Sequence, residues 1–216
     1  MSGRMGKTES VLKFLALLFV LFVISGCSHT EGNEFLEINK TENTSAKKSI
    51  LMIIAPKDFR DEELRIPKSN FEKNGFSVFV ASSEETSYGM MGSVVERDLT
   101  LEEALERIEN FDAVVFVGGS GSVVYFNNSL VKEIASKAYQ RDKVVGAICL
   151  APVILANSGI LENKRATVFD HEYIKIIEDK GAIYSKENVV VDGRIVTSNS
   201  PNVALKFSEE IIKRLK

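Results

Sequence analysis

The sequence predicts an α/β domain whose mostly parallel sheet is covered by helices on both faces. Two observations lead there: short, continuous apolar runs alternate with segments of helical spacing, and most runs end at proline, glycine or cysteine. Strands buried on both faces read as unbroken apolar runs rather than alternating ones. "SILMIIAP" (49–56) is the first such run, ended by Pro56. Asp61 to Asn74 carries Leu64, Ile66 and Phe71 and stops at Gly75, a helix with its C-terminal glycine; Pro67 is placed to bend its first turns. "FSVFVAS" (76–82) is a second strand. Residues 88–100, with Gly89, Gly92 and Val94-Val95, read as a small excursion or hairpin. Thr100 followed by Glu103 is a capping box, opening a helix to Ile108. "FDAVVFVGG" (111–119) is a third strand. After it come a helix from Ser129 to Arg141, a strand from Lys143 to Ile148 and a helix from Ala151 to Ser158. "RATVF" (165–169), a helix from Glu172 to Lys180 and the pair "NVVVDGRIVTS" (188–198) follow, with Asp192-Gly193 as the hairpin turn. An amphipathic helix from Asn202 to Leu215 closes the chain.

The 216 residues fit one domain plus a tail, and 44% apolar with 26% charged residues is an ordinary globular balance. The net charge is -3 and no basic run stands out, which argues against a nucleic-acid partner. The start of the chain differs in character. Arg4, Lys7 and Lys13 precede an apolar run from Phe14 to Ile24, then Ser25-Gly26-Cys27. That run is too short to span a bilayer of ~30 Å, which takes about 20 residues. Residues 1–26 therefore read as an export signal. Ile24-Ser25-Gly26-Cys27 also resembles the lipobox of prokaryotic lipoproteins, in which the cysteine becomes the lipid-modified first residue. On that reading Cys27 anchors the protein to the cell membrane on its extracytoplasmic side. Residues 27–48 are a polar tether, and residues 49–216 are the folded domain. A lipidated Cys27 leaves Cys149 without a disulfide partner, so the chain has no disulfide framework.

In parallel α/β sheets reactive groups collect at the carboxyl ends of the strands. Here the first strand leads into "APKDFRDEEL", the third into "GGSGS", and the next into Cys149. The bend at Cys149 resembles a nucleophile elbow, and the helix after it would lower the thiol's pKa through its N-terminal N–H groups. The competing reading is a small apolar side chain packed in the core. Gly118-Gly119-Ser120-Gly121 fits either backbone donors for an oxyanion or a tight structural turn. No Gly-Lys-Ser/Thr follows, so it is not a phosphate loop. Asp61, Glu62 and Glu63 open a helix, where carboxylates are favoured by the dipole alone; at least two of them need no other role. His29 lies in the tether, leaving His171 as the domain's histidine, and one His with one Cys makes no metal site.

Together, "FRDEEL", "FDAVVFVGGSG", "VGAICLAPVILANSGIL" and "VVVDGRIVTS...P" resemble the ThiJ/PfpI family, class I glutamine amidotransferase-like proteins that include deglycases and PfpI-type proteases. The resemblance covers about residues 49–216. It implies a flavodoxin-like three-layer sandwich, commonly a homodimer or higher homo-oligomer, with no cofactor. It makes Cys149 the nucleophile and Glu63 the partner acid, whose protonated carboxyl hydrogen-bonds the thiolate. The backbone N–H groups of Gly119 and Leu150, beside Gly118, become the oxyanion donors. The sequence departs from the family where histidines are usual: Leu150 directly follows the cysteine, and Phe169 stands before the late helix. An aliphatic neighbour cannot relay a proton, which weakens a protease reading. His171, two residues on, is the remaining candidate base. The arginine usual near the closing hairpin is Asn199. A true glutamine amidotransferase would need a histidine after His171, and there is none. The expected function is thus a glyoxalase- or deglycase-type enzyme acting on a small reactive carbonyl or a glycated substrate. A redox-sensing or chaperone-like protein with an oxidisable Cys149 is the alternative, and a binding module without chemistry the third reading.

Overall fold

The computed structural model describes residues 47–216; the expected signal at 1–26, Cys27 and the tether up to residue 46 lie outside the described residues. Strand β1 (Ser49–Ile53) begins the domain, and Ile50 through Ala55 are essentially inaccessible. It lies between two parallel neighbours, β3 (Ser77–Ala81) and β6 (Ala113–Phe116). β7 (Val144–Ile148) and β11 (Ile195–Ser198) extend the sheet in parallel. β10 (Val189–Asp192) closes that edge in antiparallel pairing. The order is β10-β11-β7-β6-β1-β3. Burial on both faces explains why these strands read as continuous apolar runs.

Helices α1 (Asp61–Lys73) and α6 (Ala204–Leu215) pack together over one side of the sheet. α3 (Ser129–Gln140) packs against β6 and β7, with α2 (Leu101–Glu106) and α4 (Pro152–Asn157) beside it. The result is the expected three-layer arrangement, and the Thr100–Glu103 capping box is formed, with bonds of 2.8 and 3.0 Å. Gly146, in the middle of β7, is fixed by space. A Cβ there would lie 2.8 Å from Ile211 Cδ1 and 2.9 Å from Phe207 Cζ, both on α6. Gly146→Val is therefore expected to destabilise the domain by about 1–3 kcal/mol through overpacking, read from the urea midpoint.

Several expectations shift. β2 (Lys57–Phe59), which the sequence did not signal, pairs in parallel with β4 (Thr86–Gly89), and β4 forms an antiparallel hairpin with β5 (Val94–Glu96). The excursion at 88–100 is thus part of a second, three-stranded sheet. "RATVF" is a strand only at β8 (Arg165–Ala166), which pairs with β9 (Ile183–Tyr184) outside the main sheet. Its remaining residues turn toward Cys149: the Phe169 N–H donates to the Cys149 carbonyl at 2.9 Å. The final hairpin turns one residue later than expected. Asp192 pairs with Ile195, leaving Gly193-Arg194 as the loop, with the positive φ (57°) at Gly193 as in a type II′ turn.

Candidate active site

Three elements bring the site together at the carboxyl edge of the sheet. Cys149 follows β7 directly, with a φ of 63°, a left-handed conformation that costs a non-glycine residue about 1 kcal/mol or more. Hydrogen bonds on both sides impose it. The Cys149 N–H donates to the Ser198 carbonyl at 2.7 Å, and its own carbonyl is held by Phe169. The bend aims the thiol out of the sheet, into a cavity of about 430 Å³.

Glu63 enters from the first turn of α1 and is fully buried. Its Oε2 accepts the Gly118 N–H at 3.0 Å, while Oε1 takes no hydrogen bond of normal geometry; the Cys149 thiol is the polar group beside the carboxyl. Gly118, just past β6, lets them meet. A Cβ there would lie 2.7 Å from both Cys149 Cβ and Glu63 Oε2, and 2.6 Å from the Ile148 carbonyl oxygen. The Gly118 N–H is therefore committed to the carboxyl, whereas those of Gly119 and Leu150 are directed at Cys149. A group bonded to the sulfur would lie beside those last two donors.

Burial raises the Glu63 carboxyl to about 7, against the opposing pull of the thiol, the Gly118 N–H and the Arg60 cation. Burial first, and then the Glu63 charge, push the Cys149 thiol up to about 12, opposed by the N–H groups of Gly119 and Leu150. One sequence expectation changes here. The helix after the cysteine does not deliver a low-pKa thiol: α4 has only six residues, and burial with the Glu63 charge outweighs the N–H groups directed at the sulfur. Both members of the buried Cys149–Glu63 pair are pushed toward their neutral forms.

The sequence profile of the DJ-1/PfpI family matches residues 48–214. The chain belongs to that family. A Methanocaldococcus jannaschii protein described as uncharacterized is 40% identical over 206 residues, which span 94% of this chain and 97% of that protein. The deglycase PfpI of Pyrococcus furiosus is 32% identical over 170 residues, 77% of this chain and 99% of that protein. The crystal structure of a ThiJ/PfpI domain protein from Brachyspira murdochii superposes with a TM-score of 0.75 at 32% identity, covering 78% of this chain and 97% of that one.

Within this DJ-1/PfpI domain the other site candidates divide. Leu150 and Phe169 line the cavity with Cys149 and Glu63. His171 does not; it is exposed at the start of α5 (His171–Asp179) and lines a neighbouring cavity of about 340 Å³ with Asn188 and Asn199. Phe169 and Ser200 border both cavities, whereas Cys149 lines only the first and His171 only the second. Sequence reading left Asp61 with the default role of a helix-start charge, but the structure gives it another. Its Oδ2 accepts the Met91 N–H at 2.7 Å and its Oδ1 the Ser93 N–H at 2.9 Å, latching the β4–β5 hairpin to α1. Burial works against the charge, yet the Ser93 hydroxyl and these N–H groups outweigh it and hold the carboxyl below its ordinary value. The hairpin carries Met90 into the cavity wall. Asp61→Ala is expected to cost about 2 kcal/mol in thermal or urea unfolding by stranding those two donors. Gly89, where a Cβ would lie 2.5 Å from Asp61 Oδ1, was the available sequence signal, readable only with the hairpin register in hand.

Proposed function

We propose that this protein is a cysteine-dependent enzyme acting on reactive carbonyls, of glyoxalase or deglycase type. The observation that carries it is the Cys149–Glu63 contact opening onto a cavity of about 430 Å³, with burial raising the carboxyl to about 7. A base serves best when its pKa lies near the working pH, and Glu63 meets that condition. The ionised carboxyl takes the thiol proton as Sγ adds to the aldehyde carbon of a 2-oxoaldehyde, and the new oxyanion sits beside the Gly119 and Leu150 N–H groups. The resulting thiohemiacetal loses its C1 proton, which is returned at C2, giving a thioester of the 2-hydroxy acid. Water then releases the acid and restores the thiol. The sum is one dicarbonyl plus one water giving one hydroxy acid; an amine- or thiol-bound dicarbonyl also releases its carrier. Glu63 performs the transfers that a histidine would otherwise take, which is compatible with Leu150 and Phe169, and no histidine, lining the cavity beside Cys149. The name of the deglycase relative supports the same class. Incubation with methylglyoxal without glutathione should yield lactate by proton NMR; absence of product from both methylglyoxal and its amine adducts would overturn the reading.

The redox-sensor alternative uses the same Cys149 thiol, and the two readings separate by whether dicarbonyl is turned over. We further propose a lipid anchor at Cys27 on the outer side of the membrane, supported by the Ile24-Ser25-Gly26-Cys27 pattern. Membrane partitioning lost in Cys27→Ala would support it, and unchanged partitioning would refute it. A homo-oligomer is also proposed, supported by Tyr88, Met91 and Val94 lying exposed on the β4–β5 hairpin; a monomer by light scattering would refute it.

A further inference from the structure

We infer that the substrate is a 2-oxoaldehyde, free or as an adduct, carrying a bulky apolar substituent, and that Phe169 and Met90 select it over the three-carbon dicarbonyl. The inference rests on the carbonyl-addition reading for its reaction, but on the cavity walls for its specificity. At about 430 Å³ the cavity is far larger than a three-carbon molecule requires. Its walls above the thiol are Leu150, Phe169, Met90 and Pro201, and the lining is predominantly apolar. Phe169 is 46% exposed and Met90 43%, so two large apolar side chains present bare surface to whatever enters. Neither is adrift. The Phe169 main chain is bonded to the Cys149 carbonyl at 2.9 Å, and the Met90 N–H donates to the Phe59 carbonyl at 2.9 Å.

The polar side of the lining does not recruit a charged substrate. Arg60 is its one cationic side chain, and the Glu62 carboxylate neutralises it, with Nε–Oε2 at 2.9 Å and Nη2–Oε1 at 3.2 Å. A carboxylate-bearing carbonyl would have to compete with that ion pair. An aryl or branched alkyl group would instead cover Phe169 and Met90, where each methylene is worth roughly a tenfold or larger preference. Leu150 and Phe169 thus form two walls of an apolar pocket.

The test compares kcat/KM for phenylglyoxal and methylglyoxal in the wild type, Phe169→Ala and Met90→Ala, each checked for fold by circular dichroism. Because the two substrates differ in intrinsic reactivity, the change of ratio between variants is the readout. The ratio should fall about tenfold in Phe169→Ala and less in Met90→Ala; a ratio unchanged in both overturns the inference. A second arm needs no turnover. Cys149 is alkylated with phenacyl bromide or iodoacetamide and followed by intact mass. In each case an S–C bond forms as halide leaves and the thiol proton passes to Glu63 or buffer. The phenacyl-over-iodoacetamide rate ratio should also drop in Phe169→Ala. If no dicarbonyl is turned over but that ratio drops, the enzyme reading fails and the apolar ligand class stands. If the alkylation ratio is unchanged, the specificity inference fails whatever the turnover.

Discussion

Cys149→Ser should reduce dicarbonyl turnover at least about a thousandfold while leaving the circular dichroism spectrum and the urea midpoint close to those of the wild type. The hydroxyl occupies nearly the same space, and the left-handed backbone at this position is imposed by Ser198 and Phe169, not by the sulfur. Serine, however, is a far weaker nucleophile, and Glu63 near 7 is too weak a base to ionise an alcohol. Activity surviving in the variant would remove Cys149 from the mechanism. Lost activity with a lost fold would not count, which is why both spectra and midpoints are measured.

Glu63→Gln separates chemistry from stability, because it should lower the first and raise the second. Without a base, turnover should fall about 10²- to 10⁴-fold, and the wild-type rise of rate with pH through about 7 should flatten. The stability effect has a definite sign. The Glu63 pKa goes from 4.5 unfolded to about 7 folded, so the native state binds more protons between those values. Wild-type stability is therefore greatest below 4.5 and declines as pH rises through about 7, by about 3 kcal/mol in all. Glutamine can still accept the Gly118 N–H but never ionises, so the variant should match the wild type at pH 4 and exceed it at pH 8. Urea melts at the two pH values decide this. Equal differences at both would mean that Glu63 is not held in a charge-hostile environment.

The parallel sheet was legible because its strands are buried on both faces, which leaves unbroken apolar runs in the sequence. The place of Cys149 was legible for a related reason: such a run ends abruptly at Cys149, and a helix follows closely. Glu63 was less so. Asp61, Glu62 and Glu63 are alike as helix-start acids, and only the family resemblance selected among them. What distinguishes them is where each carboxyl goes: Glu63 to Gly118, Asp61 to the β4–β5 hairpin, Glu62 to Arg60. Those partners lie 55 and 30 residues away for the first two, beyond any local pattern. The direction of the thiol's pKa was misread for the same cause. Helix position is a local property, whereas burial of the Cys149–Glu63 pair is created by the whole fold.

The Asp61 latch means that Glu63 and Met90 are both mounted on the first turn of α1. Glu63 reaches Cys149 from the helix directly, while Met90 arrives on a hairpin clipped to it through two backbone N–H groups. Those bonds ask nothing of the hairpin's side chains. Residues 90 and 91 can accordingly vary in sequence while the clip stays in place, whereas Gly92 is fixed by its φ of 93°. For an engineer or for natural drift, the hairpin tip is an exchangeable cassette: the cavity wall at Met90 can be rewritten there without disturbing the Cys149–Glu63 pair.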